Sequence, residues 1–328
     1  MRRTCLQGVL GLLLLLPVLA LAVNPDAGAD ATEDPDMQVI TVTGVYSGPA
    51  LWKVTSGENV MWILGEISPF PRKWKWKSKE FEKVLGKSQE LLIDFSGYWH
   101  VEGKEAAAIL EAAARLPEGT TLKDVISPQL HARVGAVAAA FGTPSLESWR
   151  PFSATNQLVR SAMKTLELTG FSARFTAAQL GEWHKSKITY FAAPEIPFEE
   201  RLRNWQHESN EVCLARLVDV IGDGGTGVKQ LGNAWAVGDI QALRELVPAY
   251  SFSRDGFRAA ECAAAMHGGE QQARDYKVRR TEAWLAQAER ALQNNRTTLA
   301  VVLMSELFAP DGYLGALRAK GYRVVEPE

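Results

Sequence analysis

Apolar and polar residues alternate along this chain with two different periods, and the changes of period mark its elements. Residues 39–45 set β-branched side chains between polar ones, which predicts a strand. After a turn at Gly48-Pro49, residues 51–55 and 60–64 read as a hairpin joined through Ser56-Gly57-Glu58-Asn59. Its second arm is nearly all apolar and stops at Gly65, and Pro69 and Pro71 then block strand continuation. Residues 78–86 switch to helical spacing, with Phe81, Val84 and Leu85 on one face, Ser78 as N-cap and Gly86 as stop. Residues 90–95 return to a short apolar strand. Strand, helix, strand in that order predicts a βαβ unit whose functional end lies near Gly65 and Asp94.

From residue 101 to residue 295 almost nothing reads as strand. Helical spacing runs through 106–116, 127–141, 154–168, 176–186 and 197–221. Two short helices follow around Trp235 and 240–246, then longer ones at 254–266 and 271–293. Residues 298–304 are again apolar and β-branched, 310–320 read as a helix stopped by Gly321, and 322–325 as a last strand. The expected fold is α/β (α+β): a central mixed sheet formed by the N- and C-terminal segments, with a large mainly helical middle region at about 101–295. No repeat of fixed period is present.

The first residues bear on compartment. Arg2 and Arg3 precede an apolar run at 9–23 that ends in Ala20-Leu21-Ala22, a small-x-small site. This predicts a signal peptide over 1–22, the alternative being an uncleaved N-terminal anchor. The run is too short for a typical span, and no later stretch is long and apolar enough for one. Residues 23–37 carry Asp26, Asp30, Glu33, Asp34 and Asp36 and no base, which predicts an acidic disordered spacer. Residues 38–328 are then one domain. The expected location is periplasmic, with secretion or N-terminal anchoring as alternatives.

Charge excludes one class of partner. The chain has 36 Lys+Arg against 38 Asp+Glu, and no basic field for nucleic acid emerges. Cys213 and Cys262 remain after the leader and are expected to form a disulfide in an oxidising compartment, the alternative being two buried thiols. Neither lies in a Cys-x-x-Cys arrangement.

Candidate chemistry gathers after the apolar hairpin arm. Glu66 is a general acid/base if its surroundings raise its pKa, or else a solvated loop carboxylate. Ser68 lacks a Gly-x-Ser-x-Gly elbow, and Pro69 removes a backbone N–H that would help form an oxyanion hole. Trp74-Lys75-Trp76-Lys77 offers Trp74 and Trp76 to a glycan, peptide or anionic headgroup, or else packs its indoles against the sheet. His100 is a ligand candidate in a loop. His131, His184, His207 and His267 show no helix-borne metal spacing. The glycine-rich stretch at 222–227 lacks a P-loop lysine and reads as a turn.

Several pieces, taken in order, carry a family likeness. They are Leu51-Trp52-Lys53-Val54, Trp62-Ile63-Leu64-Gly65, Ser68-Pro69, Asn233-Ala234-Trp235-Ala236-Val237-Gly238-Asp239-Ile240, Asp311-Gly312 and Gly321-Tyr322-Arg323-Val324. Together they resemble the TraB/GumN family, to which the Tiki-type metalloproteases are related. The resemblance implies a site in which strands end in Gly-x-x-His and the histidine binds a metal. Here Gly65 is kept, but Ser68 stands at the histidine position. The second such motif falls on Leu303-Met304-Ser305-Glu306, where both the glycine and the histidine are absent. The resemblance also implies an acidic residue after the second main strand, for which Asp94 is the candidate. Asp94 and Glu306 are hard oxygen donors, favouring magnesium, manganese or calcium over zinc as a divalent metal ion. Arg279-Arg280 with Trp284 is similar to a family position where an arginine faces the site; a solvated helix face explains the run equally well. Two function readings follow. One is a catalytically degenerate envelope protein that binds a ligand, peptide or protein partner. The other is a metal-dependent peptidase or hydrolase with an oxygen-ligated metal.

Overall fold

The computed structural model describes residues 48–94 except 75 and 77, 104–170, 187–207 except 192 and 195, 211–251, 262 and 267–327. The strand expected at 39–45 and the helices expected at 176–186 and 254–266 lie outside them, apart from Cys262, which is helical.

The hairpin forms with its arms longer than the pattern suggested, β1 (Leu51–Ser56) and β2 (Asn59–Glu66), so that Gly57-Glu58 alone make the turn. Gly57 has φ +58°, the positive value a two-residue hairpin turn needs at its first position. Pro69 and Pro71 do not end all pairing. Phe70–Pro71 is a two-residue strand, β3. Helix α1 (Lys79–Lys87) begins where expected, with the Ser78 hydroxyl accepting from the Phe81 N–H at 3.2 Å. Glu80 and Glu82 suit the positive end of its dipole, and Phe81, Val84 and Leu85 are buried. Strand β4 (Glu90–Ile93) is buried along its whole length.

The middle supplies α2 (Lys104–Ala113), α3 (Leu122–Val125), α4 (Pro128–Ala140) and α5 (Pro151–Thr165). It then departs from the all-helical expectation with β5 (Leu168–Thr169), paired to β3, and β6 (Lys187–Tyr190). Next come α6 (Phe198–His207), α7 (Glu211–Ile221), α8 (Thr226–Val237) and α9 (Ile240–Tyr250). The long α10 (Glu270–Asn294) leads into β7 (Thr297–Leu303), α11 (Met304–Phe308), α12 (Tyr313–Ala319) and β8 (Arg323–Val325).

The central sheet is mixed, in the order β6-β4-β7-β2-β1-β8. Strands β6, β4, β7 and β2 run parallel, while β1 is antiparallel to both β2 and β8. The two strands of the predicted βαβ unit, β2 and β4, are therefore not neighbours: β7, from the far end of the chain, lies between them. Parallel strands covered on both faces need continuous apolar runs, which explains the unbroken Leu299-Ala300-Val301-Val302-Leu303. Trp52, Met61, Ile63, Leu64, Trp235, Trp284 and Tyr313 pack around this sheet. A second apolar cluster lies among the middle helices, built on Leu130, Leu158, Leu214, Leu217 and Ile221. It contains the bonded pair Cys213–Cys262, whose Cα atoms are 5.2 Å apart.

Candidate functional site

Three parallel strands end side by side. Leu64 pairs with Val301, and Val301 with Ile93. One residue further, the Asp94 N–H donates to the Val301 carbonyl at 2.8 Å, which holds Asp94 at the mouth of the sheet. Its side chain is fully buried. Arg280 reaches it from α10: one terminal nitrogen, Nη2, donates to Asp94 Oδ1 at 2.8 Å and Oδ2 at 2.7 Å. The other, Nη1, donates to Glu306 Oε1 at 2.8 Å. Tyr313 Oη donates to Asp94 Oδ2 at 2.9 Å. Trp284, one turn beyond Arg280, stacks on the Tyr313 ring with centroids 4.1 Å apart and planes at 1°. The rings of Phe191 and Tyr313 stand 5.8 and 5.7 Å from the guanidinium carbon.

Each group is placed by a local cause. Arg280 continues the stripe of Trp284, Ala288 and Ala291, which faces the sheet at helical spacing. Glu306 lies in α11, which starts directly at the end of β7. Gly312 lets the chain turn tightly into α12: a Cβ there would lie 2.1 Å from the Glu306 carbonyl oxygen. Burial alone would lower the Arg280 pKa, but the charges of Asp94 and Glu306 hold it well above its ordinary value. Burial, then the Asp94 charge, pushes the Tyr313 phenol far up, so it stays a neutral donor.

A divalent ion held by Asp94 and Glu306 would have to lie between their carboxylates. The two carboxylates do come together, but the cation between them is the Arg280 guanidinium. Both Asp94 oxygens accept from it. Among the described residues no group of three or more His, Cys, Asp or Glu is gathered to hold a metal ion. These residues, as arranged, do not fit a divalent cation.

Residues 50–326 match the model of the TraB/PrgY/gumN family. The chain belongs to that family. No curated protein and no solved structure matches it. The pieces that carry the TraB/PrgY/gumN likeness have physical work in this frame. A Cβ on Gly65 would lie 2.5 Å from Met304 Sδ and 2.9 Å from Leu307 Cδ1, so the glycine lets α11 close over the end of β2. The Trp235 indole N–H donates to the Gly65 carbonyl at 2.6 Å and ties α8 to the same spot. Gly238, at φ +75°, ends α8 in the left-handed conformation, and Asp239 caps α9 by accepting from the Ala242 N–H at 2.9 Å.

The other expected site residues fall as follows. Glu66 is the last residue of β2 and is buried, rather than solvated in a loop. It pairs with Leu303, and strand alternation turns it to the face opposite Gly65. Ser68 is buried too. Trp74 and Trp76 are half-buried at the margin of the core. Trp74 meets Phe70 edge-on at 5.9 Å, and Trp76 meets Phe81 and Trp235 at 5.2 and 5.3 Å. His100 lies outside the described residues. The glycine-rich stretch carries a cap: Asp223 accepts from the Gly225 and Gly227 N–H groups at 2.8 and 3.0 Å as α8 begins. Tyr313 was not singled out from the sequence. Its spacing from Asp311-Gly312 and its place at the start of a short amphipathic helix were the signals available.

Proposed function

We propose that this chain is an exported envelope protein of the TraB/PrgY/gumN family that binds a ligand or partner instead of catalysing metal-dependent hydrolysis. One observation carries this reading: the Arg280 guanidinium bridges Asp94 and Glu306, the two carboxylates expected to hold the metal. Ser68 in place of the first expected histidine, and Leu303-Met304-Ser305-Glu306 in place of the second Gly-x-x-His, support it. The periplasm is the proposed location, reached through cleavage of residues 1–22. No helix among the described residues is long and apolar enough to cross a membrane.

The test is metal content of protein purified without chelator, with melting curves in added zinc, manganese, magnesium and calcium. The expected result is no stoichiometric metal and no stabilisation. Stoichiometric metal together with peptide hydrolysis that a chelator abolishes would overturn the proposal in favour of the metallopeptidase reading. Mass measurement of the periplasmic form tests the leader: a mature N-terminus near residue 23 is expected, and an intact Met1 in the membrane fraction would refute cleavage.

A further inference from the structure

One cavity opens beside the Arg280 cluster, and its lining includes neither Asp94, Arg280 nor Glu306 among the described residues. It lies where α10 begins, is open to solvent and has a volume of about 290 Å³. That is at the small end of the roughly 300–1,000 Å³ of small-molecule sites, and suits a ligand of few heavy atoms. Ile196 and Tyr276 give it apolar wall, and Glu200, His267, Asp275 and Arg279 give it polar wall. His267 stacks on Tyr276 with centroids 4.2 Å apart.

Among the described residues the charges here form no ion pair with one another. Asp275 and Arg279 are four residues apart on one helix, a spacing that suits an ion pair. Glu270 and Arg274, at the same spacing one turn earlier, do pair, at 3.2 Å. Asp275 instead accepts from the Gln271 amide at 2.8 Å. Neither Arg279 nor Glu200 forms an ion pair among the described residues. Burial, then the Arg279 charge, holds His267 down to about 4, so its imidazole adds no charge at neutral pH. Among the described residues the cavity therefore presents one guanidinium, two carboxylates and a neutral aromatic pair.

We propose that this cavity binds a free α-amino acid. Its carboxylate is held by Arg279, its ammonium by Glu200 and Asp275, and its side chain lies against Ile196 and the Tyr276–His267 stack. Arg279 is what selects a ligand carrying a carboxylate as well: an amine alone balances the net charge of the cavity but leaves the guanidinium unused, and a carboxylate alone faces two like charges. The site goes beyond the function proposed above and does not depend on it, since it uses neither Asp94, Arg280 nor Glu306.

The experiment is calorimetric titration of the whole mature chain with the common L-amino acids and their D forms, one at a time. Phenethylamine and 3-phenylpropionate serve as single-charge controls. Saturable one-to-one binding of one or more amino acids is expected, with both controls at least tenfold weaker. Arg279→Gln and Glu200→Gln should each weaken that binding about tenfold or more, the loss of one charge-assisted contact. Neither substitution should move the melting temperature, because neither group is tied by an ion pair to another described residue. Absence of binding by every amino acid at millimolar concentration overturns the proposal. So does binding that survives both substitutions, or a single-charge control that binds as tightly as the amino acids.

Discussion

Replacing Arg280 with methionine removes the cation while keeping most of the side chain's length and apolar contact. Three charged hydrogen bonds disappear, two to Asp94 and one to Glu306. Asp94 is then left buried with Tyr313 as its remaining side-chain donor among the described residues. Breaking a buried ion pair from one side costs about 3–5 kcal/mol, because the partner charge stays desolvated. With an unfolding entropy of about 2.1 cal/mol/K per residue, a domain of this size would lose about 5–8 °C in melting temperature. Urea unfolding followed by circular dichroism measures it. The double variant Arg280→Met with Asp94→Asn supplies the control: without its stranded charge it should be more stable than Arg280→Met alone. A loss under about 1 kcal/mol for Arg280→Met, the range of an exposed pair, would refute the claim that this guanidinium is a buried structural cation. Equal stability of the single and double variants would refute the assignment of the cost to Asp94.

Other consequences are equally measurable. Gly65→Ala should destabilise by about 1–3 kcal/mol, since Met304 and Leu307 must shift to admit the methyl group; unchanged stability would refute that close approach. Glu90, buried at the other end of β4, is pushed up by burial but held at about 2, against an ordinary 4.5, by donors from Arg290, Thr189 and Asn295. Because its folded pKa is depressed, its contribution is complete above about pH 4.5 and is lost as pH falls toward 2. The shift corresponds to at most about 3 kcal/mol, and Glu90→Gln should flatten the stability profile across that window. Reduction, or Cys213→Ser, should cost about 4 kcal/mol by the loop-closure argument for a 49-residue separation, read as a lower urea midpoint that reductant does not lower further in the variant.

The sequence makes some of this legible. A serine cap three residues before Phe81 and a pair of late cysteines are local signals, and each led to the observed feature; the apolar run after Asn59 also forms its strand, but pairing continues through Gly65 to Glu66 instead of stopping at the glycine. The likeness of ordered pieces led to Asp94 and Glu306 as partners. It also led to Arg279-Arg280 as the place of an arginine facing the site, but not to that guanidinium joining the two carboxylates. Arg279-Arg280 looks like one solvated run, yet counting back by four from Ala288 through Trp284 reaches Arg280 and not Arg279. The chain thus held the distinction, hidden in a helix that is otherwise polar. Strand β6 was missed because four residues ending in an exposed tyrosine carry little hydrophobic period. The place of β7 had no local signal at all, since parallel pairing between distant segments is decided by which faces must be covered.

That placement bears on how the protein is made. The strand at the centre of the sheet is synthesised after both of its neighbours and after the whole helical middle: Thr297 pairs with Val60, and Thr298 with Glu90. Until it arrives, β2 and β4 each offer an unpaired apolar edge, and the sheet cannot assemble from the N-terminus onward. The helical cluster around Leu130, Leu158 and Leu217 draws on nearer segments and can form earlier. A growing chain therefore carries these open apolar edges until β7 emerges, and a holding chaperone would act on them over that interval. A truncation before Thr297 removes the middle of the sheet rather than its margin, leaving two strands with nothing between them.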